Sequence, residues 1–473
     1  MIQISFSGKK KDCLQLYGDN SVVSLTREFF SVPNPAHRSN LPYITSRLYS
    51  ITPGGKFEIG LLKEIISFFE KHRYPFQADP DVYKSFQPGF NNFNIEKLKI
   101  PFRDYQKKAI HASITQGRGM IILPTASGKT LVMAGLIKNI TRLLNKENLK
   151  TMVIVPSIQL VEQTCGDFLE YGLENITKWS GNNKPDFSKN IIVAGTQILL
   201  SKSSDLSILN DIDLFLCDEA HGIRRGNNIN KIFSLLKTPH LFGFTGTMPP
   251  SLIDQWNIVG KFGPINYEEK TIDLKNQTYI SNFHVIILKI KHSNIPVFND
   301  FSNPTLPYQE ELDFLINSDY RNGIIVNLAL KMPNNTIIMA DRIQHGLLLE
   351  AKLKELNKDN RRIFFIRGST EMEERETIRS VMNDNNDIIV IAISKIFSTG
   401  INIPNLHNVI FGSAGKAKIK IMQSIGRALR LHPTKKTANI FDVADNTKYG
   451  KMHLKERKKL YEQEKYKVTE KEI

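Results

Sequence analysis

Three short stretches of this chain place phosphate-handling residue types at telling spacings. The first is Leu123-Pro-Thr-Ala-Ser-Gly-Lys-Thr130, which follows the apolar run 119–122 and leads into a helix-like stretch, 129–138. A strand, a turn of Pro124, Thr125, Ala126, Ser127 and Gly128, and a helix opening at Lys129 would aim several backbone N–H groups and a positive helix end at one point, which suits a phosphate. Lys129 would reach the β- and γ-phosphates and the Thr130 hydroxyl would hold Mg²⁺, the mechanics of a Walker A loop, although the strict pattern has glycine where Leu123 stands. The second stretch is Asp218-Glu219-Ala-His221, behind the apolar run 214–217. An acid pair at the carboxyl end of a strand sits where open α/β sheets bind ligands. There Asp218 would coordinate Mg²⁺ through water, and Glu219 would orient or deprotonate the attacking water. The third is Gln423-Ser-Ile-Gly-Arg427-Ala-Leu-Arg430, whose two arginines share a helix face and can point together across a cleft. Positive charge delivered in this way to a γ-phosphate is worth on the order of 10³ to 10⁵ in rate.

Positioning such groups requires parallel sheets, and from residue 98 onward the pattern supplies them. Apolar strands over 120–123, 151–155, 191–194, 214–217 and 241–244 alternate with amphipathic stretches. After a break over 260–276 the alternation restarts at 285–290, 336–340, 363–367, 388–393, 409–412 and 439–443, implying two consecutive α/β units. The segment 294–307, rich in Pro and Asn, is expected to be a loop, and the Lys- and Glu-rich tail 451–473 a solvated charged helix. Ahead of these units, residues 1–95 read as a small α+β domain. It has β-like runs at 2–6, 21–25 and 47–51, a helix over 60–72, interleaved basic and aromatic residues, and a linker over 87–94.

Composition narrows the function class. The chain has 473 residues, 41% of them hydrophobic and 23% charged, enough for several full cores. A net charge of +16 favours a polyanionic partner, nucleic acid first. Cys13, Cys165 and Cys217 are far apart and lack metal-ligand spacing, so they are expected to be reduced thiols. No apolar run approaches the roughly 20 residues of a membrane span, and residues 9–11 are lysines where an export signal would be apolar, so a cytoplasmic location is expected.

Taken together and in order, these motifs resemble superfamily 2 helicases and translocases of the DEAH type. That resemblance implies two tandem RecA-like parallel-sheet domains, expected over 96–270 and 271–450, with ATP and Mg²⁺ in the cleft between them. Pro124 to Thr130 resembles motif I, Asp218 to His221 motif II, and Thr245-Gly246-Thr247 stands where motif III couples hydrolysis to movement. Motif V is matched by 398–404, with Gly400 near the nucleotide, and motif VI by 423–430, with Gln423, Arg427 and Arg430 in catalytic roles. Upstream, Arg103-Asp-Tyr-Gln106 is similar to the segment that reads adenine. Pro156-Ser157 and Thr196-Gln197 match the motifs that hold a nucleic-acid backbone, and Thr370 and Thr399 are further candidates, while His221 would link motif II to the coupling segment. Ala126 replaces a glycine common in motif I, Asn402 stands where many relatives carry an acid, and motif III reads TGT where S/T-A-T is frequent.

The small N-terminal domain, the PTxSG-type loop, the STGI segment and the basic tail narrow the resemblance to the phage UvsW-type DNA helicases. It implies an ATP-dependent DNA helicase, a monomer or weak oligomer. Its expected action is sequence-independent unwinding or branch migration of forks, junctions, D-loops and R-loops, in recombination, repair and replication restart, with RNA–DNA hybrids as a related substrate. The competing readings are a double-strand translocase that does not separate strands, an RNA helicase, and a nucleotide-gated clamp without turnover.

Overall fold

The computed structural model describes the chain except for residues 9–11, 38–43, 87–88, 125–126, 182–183, 202–205, 227, 271–272, 275–281, 297–305, 394–402, 404, 413–436 and 464–465. It divides into two compact units, Met1–Pro124 with Gly128–Glu269, and a second from Lys270 to Ile473.

Each unit is built on a seven-stranded sheet. In the first the strands lie in the order Ile265–Glu268, Gly119–Ile122, His240–Thr245, Leu214–Cys217, Thr151–Val155, Ile191–Gly195 and Ile176–Trp179. All pairings are parallel. Its five central strands are buried along their whole length, which is why they read as continuous apolar runs and not as alternations. The second sheet runs Arg362–Ile366, Ile388–Ile393, Thr336–Ala340, Asn408–Phe411, Thr437–Asp445, Asn282–Ile290 and Lys467–Glu472, again all parallel. The fold is therefore two RecA-like parallel sheets, with helices in most of the described connections between strands.

The N-terminal region forms its own four-stranded sheet, ordered Lys56–Glu58, Cys13–Tyr17, Ile2–Phe6 and Phe76–Ala78. Helix Leu62–His72 buries Leu62, Ile65, Phe68 and Phe69 against it. This small core is continuous with the first unit, since Val259 of helix Leu252–Phe262 belongs to it and Trp256 stacks obliquely on Phe30, ring centroids 5.4 Å apart. The backbones touch at Gly60, where a Cβ would lie 2.0 Å from the Val259 carbonyl oxygen, so only glycine permits the approach.

Several sequence expectations are corrected. The run 21–25 lies in a helix, Asn20–Phe29, because the Asp19 carboxylate accepts from the Ser21 N–H and starts it, and Val23 and Thr26 form its buried face. The 260–276 break contains the edge strand Ile265–Glu268. Residues 89 and 90 of the expected linker are docked, for Phe90 N–H donates to Ile114 O and a Cβ on Gly89 would meet Thr115 O at 2.0 Å. The charged tail is not a solvated helix. Helix Lys448–Gln463 buries His453, Arg457 and Tyr461, with Arg457 Nε and Tyr461 OH both on Asp442 Oδ2 at 2.8 and 2.7 Å, and the chain then returns as the edge strand Lys467–Glu472. No helix among the described residues is long and apolar enough to cross a membrane.

Candidate active site

The phosphate loop is fixed from below by its own glycine. Gly128 has φ +76°, a left-handed conformation that L side chains rarely adopt, and it is the residue on which helix Lys129–Leu143 begins. A Cβ there would stand 2.6 Å from Gln106 Nε2. Gln106 is itself 2% exposed, and its Oε1 accepts from the Arg103 N–H at 2.9 Å, closing a capping box on helix Asp104–Gln116. The Arg103 guanidinium donates to Tyr105 OH at 3.3 Å. The segment 103–106 and the loop are thus keyed to each other through one amide. Pro124, Ser127, Lys129 and Thr130 are in place around this turn, whereas Thr125 and Ala126 lie outside the described residues.

The acid pair sits on the edge where the sequence placed it. The Asp218 N–H donates to Ile154 O at 2.8 Å, tying the end of strand Leu214–Cys217 to its neighbour. Glu219 then adopts φ +49°, a left-handed conformation unusual for a non-glycine residue and the sort of strain found at functional sites. From this backbone its carboxylate spans two partners. Oε1 lies 3.3 Å from Lys129 Nζ, and Oε2 lies 3.2 Å from His221 Nδ1. The same Nδ1 is 3.0 Å from Thr245 Oγ1. The Thr245 hydroxyl donates to Thr247 O at 2.8 Å, so it must accept from the imidazole, which assigns the proton to Nδ1. One polar chain therefore runs from Lys129 through Glu219 and His221 to Thr245 and Thr247, with Gly246 between the two threonines. Burial pushes the neighbouring Cys217 thiol well up, reinforced by Asp218 and Glu219, so it stays a neutral packing group; none of the three cysteines is in a disulfide.

Pro156, Ser157, Gly195 and Gln197 converge on one cleft of about 210 Å³, at the carboxyl ends of strands Thr151–Val155 and Ile191–Gly195. Ser180 and Gly181 also line it; they carry no sequence signal because strand Ile176–Trp179, which delivers them, is short and only half apolar. The Ser157 hydroxyl accepts from the Leu160 N–H as a helix cap and Thr196 Oγ1 donates to Val155 O, so both hydroxyls are engaged locally. In the second unit Thr370 is 8% exposed, and its hydroxyl accepts from the Arg367 N–H inside a turn. Thr399, Gly400, Gln423, Arg427 and Arg430 lie outside the described residues.

Comparison with known proteins decides the family. Residues 99–250 match the family described as Type III restriction enzyme, res subunit, and residues 321–432 match the helicase conserved C-terminal domain. The ATP-dependent DNA helicase uvsW of Enterobacteria phage T4 is 26% identical over 484 aligned positions, covering 95% of this chain and 93% of that protein. The chain belongs to superfamily 2 of the helicases. Among other relatives of this helicase is the DNA 3'-5' translocase XPB2 of Sulfurisphaera tokodaii, 24% identical over 72% of this chain and 80% of that one. The fold agrees with solved structures. Dbp5 of S. cerevisiae bound to RNA and ADP BeF3 superposes with a TM-score of 0.54 at 16% identity, over 88% of this chain and 94% of that one. The Type ISP restriction-modification enzyme LlaBIII bound to DNA gives 0.58 at 15% identity, over 87% and 36%. The protein is an ATP-dependent helicase that unwinds or translocates along nucleic acid, and its sequence-predicted fold class is the one observed.

Proposed function

We propose that this helicase spends ATP on unwinding and branch-migrating branched DNA, recognised by shape and not by sequence. The observation that carries the reading is the extent of the likeness to the phage T4 DNA helicase, which includes the N-terminal sheet as well as both RecA-like units. A basic chain of net charge +16 suits a phosphate backbone held without base readout.

The residues divide the work as follows. The Lys129 ammonium, 3.3 Å from Glu219, exchanges that partner for the β- and γ-phosphates when nucleotide enters, which frees the Glu219 carboxylate to take a proton from the attacking water. Thr130 and Asp218 offer the hydroxyl and carboxylate oxygens that a small hard cation prefers beside phosphates. Bound there, Mg²⁺ would neutralise charge on the β- and γ-oxygens. Arg427 and Arg430 supply the remaining positive charge from the second unit, and Gln423 shares their segment. His221 passes the state of Glu219 to Thr245, so that hydrolysis is felt where motif III begins.

A substrate panel tests the reading. Phosphate release and strand displacement measured on single-stranded, duplex, forked, four-way and RNA–DNA hybrid substrates should show the greatest activity on forks and four-way junctions. Equal stimulation by linear duplex, with triplex displacement but no strand separation, would instead establish the double-strand translocase.

A further inference from the structure

We propose that Arg321 is a positioning residue for ATP hydrolysis, holding from a buried base the point at which the chain enters the segment that carries motif VI. Arg321 lies on helix Asp319–Lys331 and is fully buried. Its Nε sits 2.9 and 3.1 Å from the two carboxylate oxygens of Asp445, and its Nη1 donates to Gly412 O at 2.8 Å. Asp445 Oδ1 also meets His292 Nε2 at 2.9 Å, and Asn446 Oδ1 accepts from the His292 N–H at 3.0 Å. Gly412, Asp445 and His292 stand at or just past the carboxyl ends of three adjacent strands, Asn408–Phe411, Thr437–Asp445 and Asn282–Ile290. The guanidinium therefore ties together the edge of the second sheet on which an α/β fold places its working loops.

Two features set this cluster apart from packing. A buried arginine and carboxylate are costly to desolvate, and apolar residues of the same volume commonly serve stability as well or better, so a retained pair points to a geometric task. The geometry names the task, because one arm of the fork is spent on a main-chain carbonyl and not on the carboxylate. That carbonyl is Gly412, after which residues 413–436 bring Gln423, Arg427 and Arg430 in sequence. The site is also crowded around Gly412, where a Cβ would meet Met339 O at 3.1 Å and Ile338 Cγ2 at 3.3 Å, so the carbonyl has little room to find another direction. Lysine cannot replace this arrangement, since a single ammonium lacks the planar fork that serves a carboxylate and a carbonyl at once.

The inference rests on motif VI acting at the γ-phosphate, and the experiment separates the two. In the full chain, with saturating single-stranded DNA, Arg321→Lys should lower kcat for ATP at least tenfold while the KM for ATP moves less than twofold. Arg457→Lys is the comparison, because Arg457 is likewise buried on a carboxylate, Asp442, but donates to no main-chain carbonyl among the described residues. It should lower the melting temperature and leave kcat within twofold at a temperature where the protein is folded. Arg430→Ala reports on motif VI itself. If it abolishes turnover while Arg321→Lys turns over normally, or while the two lysine variants behave alike, the positioning role is overturned. If Arg430→Ala turns over normally, it is the motif VI reading that has failed. Should Arg321→Lys melt below the assay temperature, Asp445→Asn, which keeps the guanidinium and loosens its grip, is measured with the same expectations.

Discussion

Glu219 is the residue on which the chemistry and its transmission meet. Its carboxylate faces Lys129 on one side and His221 on the other, held there by a backbone conformation, φ +49°, that few residues other than glycine accept. Two substitutions separate its tasks. Glu219→Gln keeps the shape and hydrogen-bonding reach of the side chain but removes the proton acceptor, so it should bind ATP within a few-fold of the parent and lose nearly all DNA-stimulated phosphate release; ordinary turnover would end the assignment. Lys129→Ala should lose release as well, by weakening phosphate binding. His221→Ala keeps Lys129, Thr130 and the Lys129–Glu219 pair yet removes the link from Glu219 to Thr245. Its expected signature is ATP hydrolysis within about fivefold of the parent with strand displacement lowered at least tenfold, measured in one reaction on a fork. A parallel loss of both would make His221 a part of the hydrolytic site instead.

At the scale of elements, the buried polar groups of the second unit predict how it responds to acid. His345, on helix Ile343–Leu356, is 1% exposed, and its Nε2 donates to Asn322 Oδ1 at 3.1 Å. Burial, reinforced by Arg321, pushes its pKa down to about 3, so it is neutral in the folded protein. An unfolded chain takes up that proton near pH ~6.5. The unfolded state thus binds more protons between about 6.5 and 3, and the stability contributed is complete above that window and lost as pH falls through it, about 2 kcal/mol by pH ~5. Urea unfolding at pH 7.5 and pH 5 should show a drop smaller by that amount in His345→Gln than in the parent; equal drops would mean the imidazole is protonated in the fold. The elements themselves were legible in proportion to their burial. The strands Thr151–Val155, Leu214–Cys217, Thr336–Ala340 and Ile388–Ile393 coincide with their apolar runs because both faces of each are covered. The edge strands Ile176–Trp179 and Lys467–Glu472 carry no comparable signal, the first being only four residues long and half apolar and the second mostly charged, so each is a strand by virtue of a neighbour to pair with. The site shows the same division. Lys129, Asp218 and Glu219 announce themselves by local spacing, and the link of His221 to Thr245 is expected from the family resemblance, whereas the contact of Gln106 with Gly128 joins different elements and exists only after folding.

At the scale of the whole molecule, the residues proposed for hydrolysis are distributed between two compact units, and that distribution can be tested by cutting the chain. Residues 1–269 hold the phosphate loop, the acid pair, His221 and Thr245, and residues 270–473 carry Gln423, Arg427 and Arg430. Two cores of the first unit, the N-terminal one that includes Val259 of helix Leu252–Phe262 and the one around Phe215 and Phe262, contain no residue beyond 269 among the described residues. Removing residues 1–95 alone is a poorer cut, because it would uncover Val259 and Trp256. The fragment 1–269 should therefore fold, and a fluorescent ATP analogue should bind it within about tenfold of the whole chain, since Lys129 and the helix N-terminus are present. Its phosphate release should fall by a factor on the order of 10³ or more, the usual contribution of arginine fingers, and should not respond to DNA. Tight analogue binding with residual turnover at that level would place the nucleotide-holding work in the first unit and the rate-giving work in the second. A fragment that hydrolyses ATP at the parental rate, with DNA stimulation intact, would show that the arginines of residues 427 and 430 have no part in the reaction, and the two-unit motor would have to be abandoned.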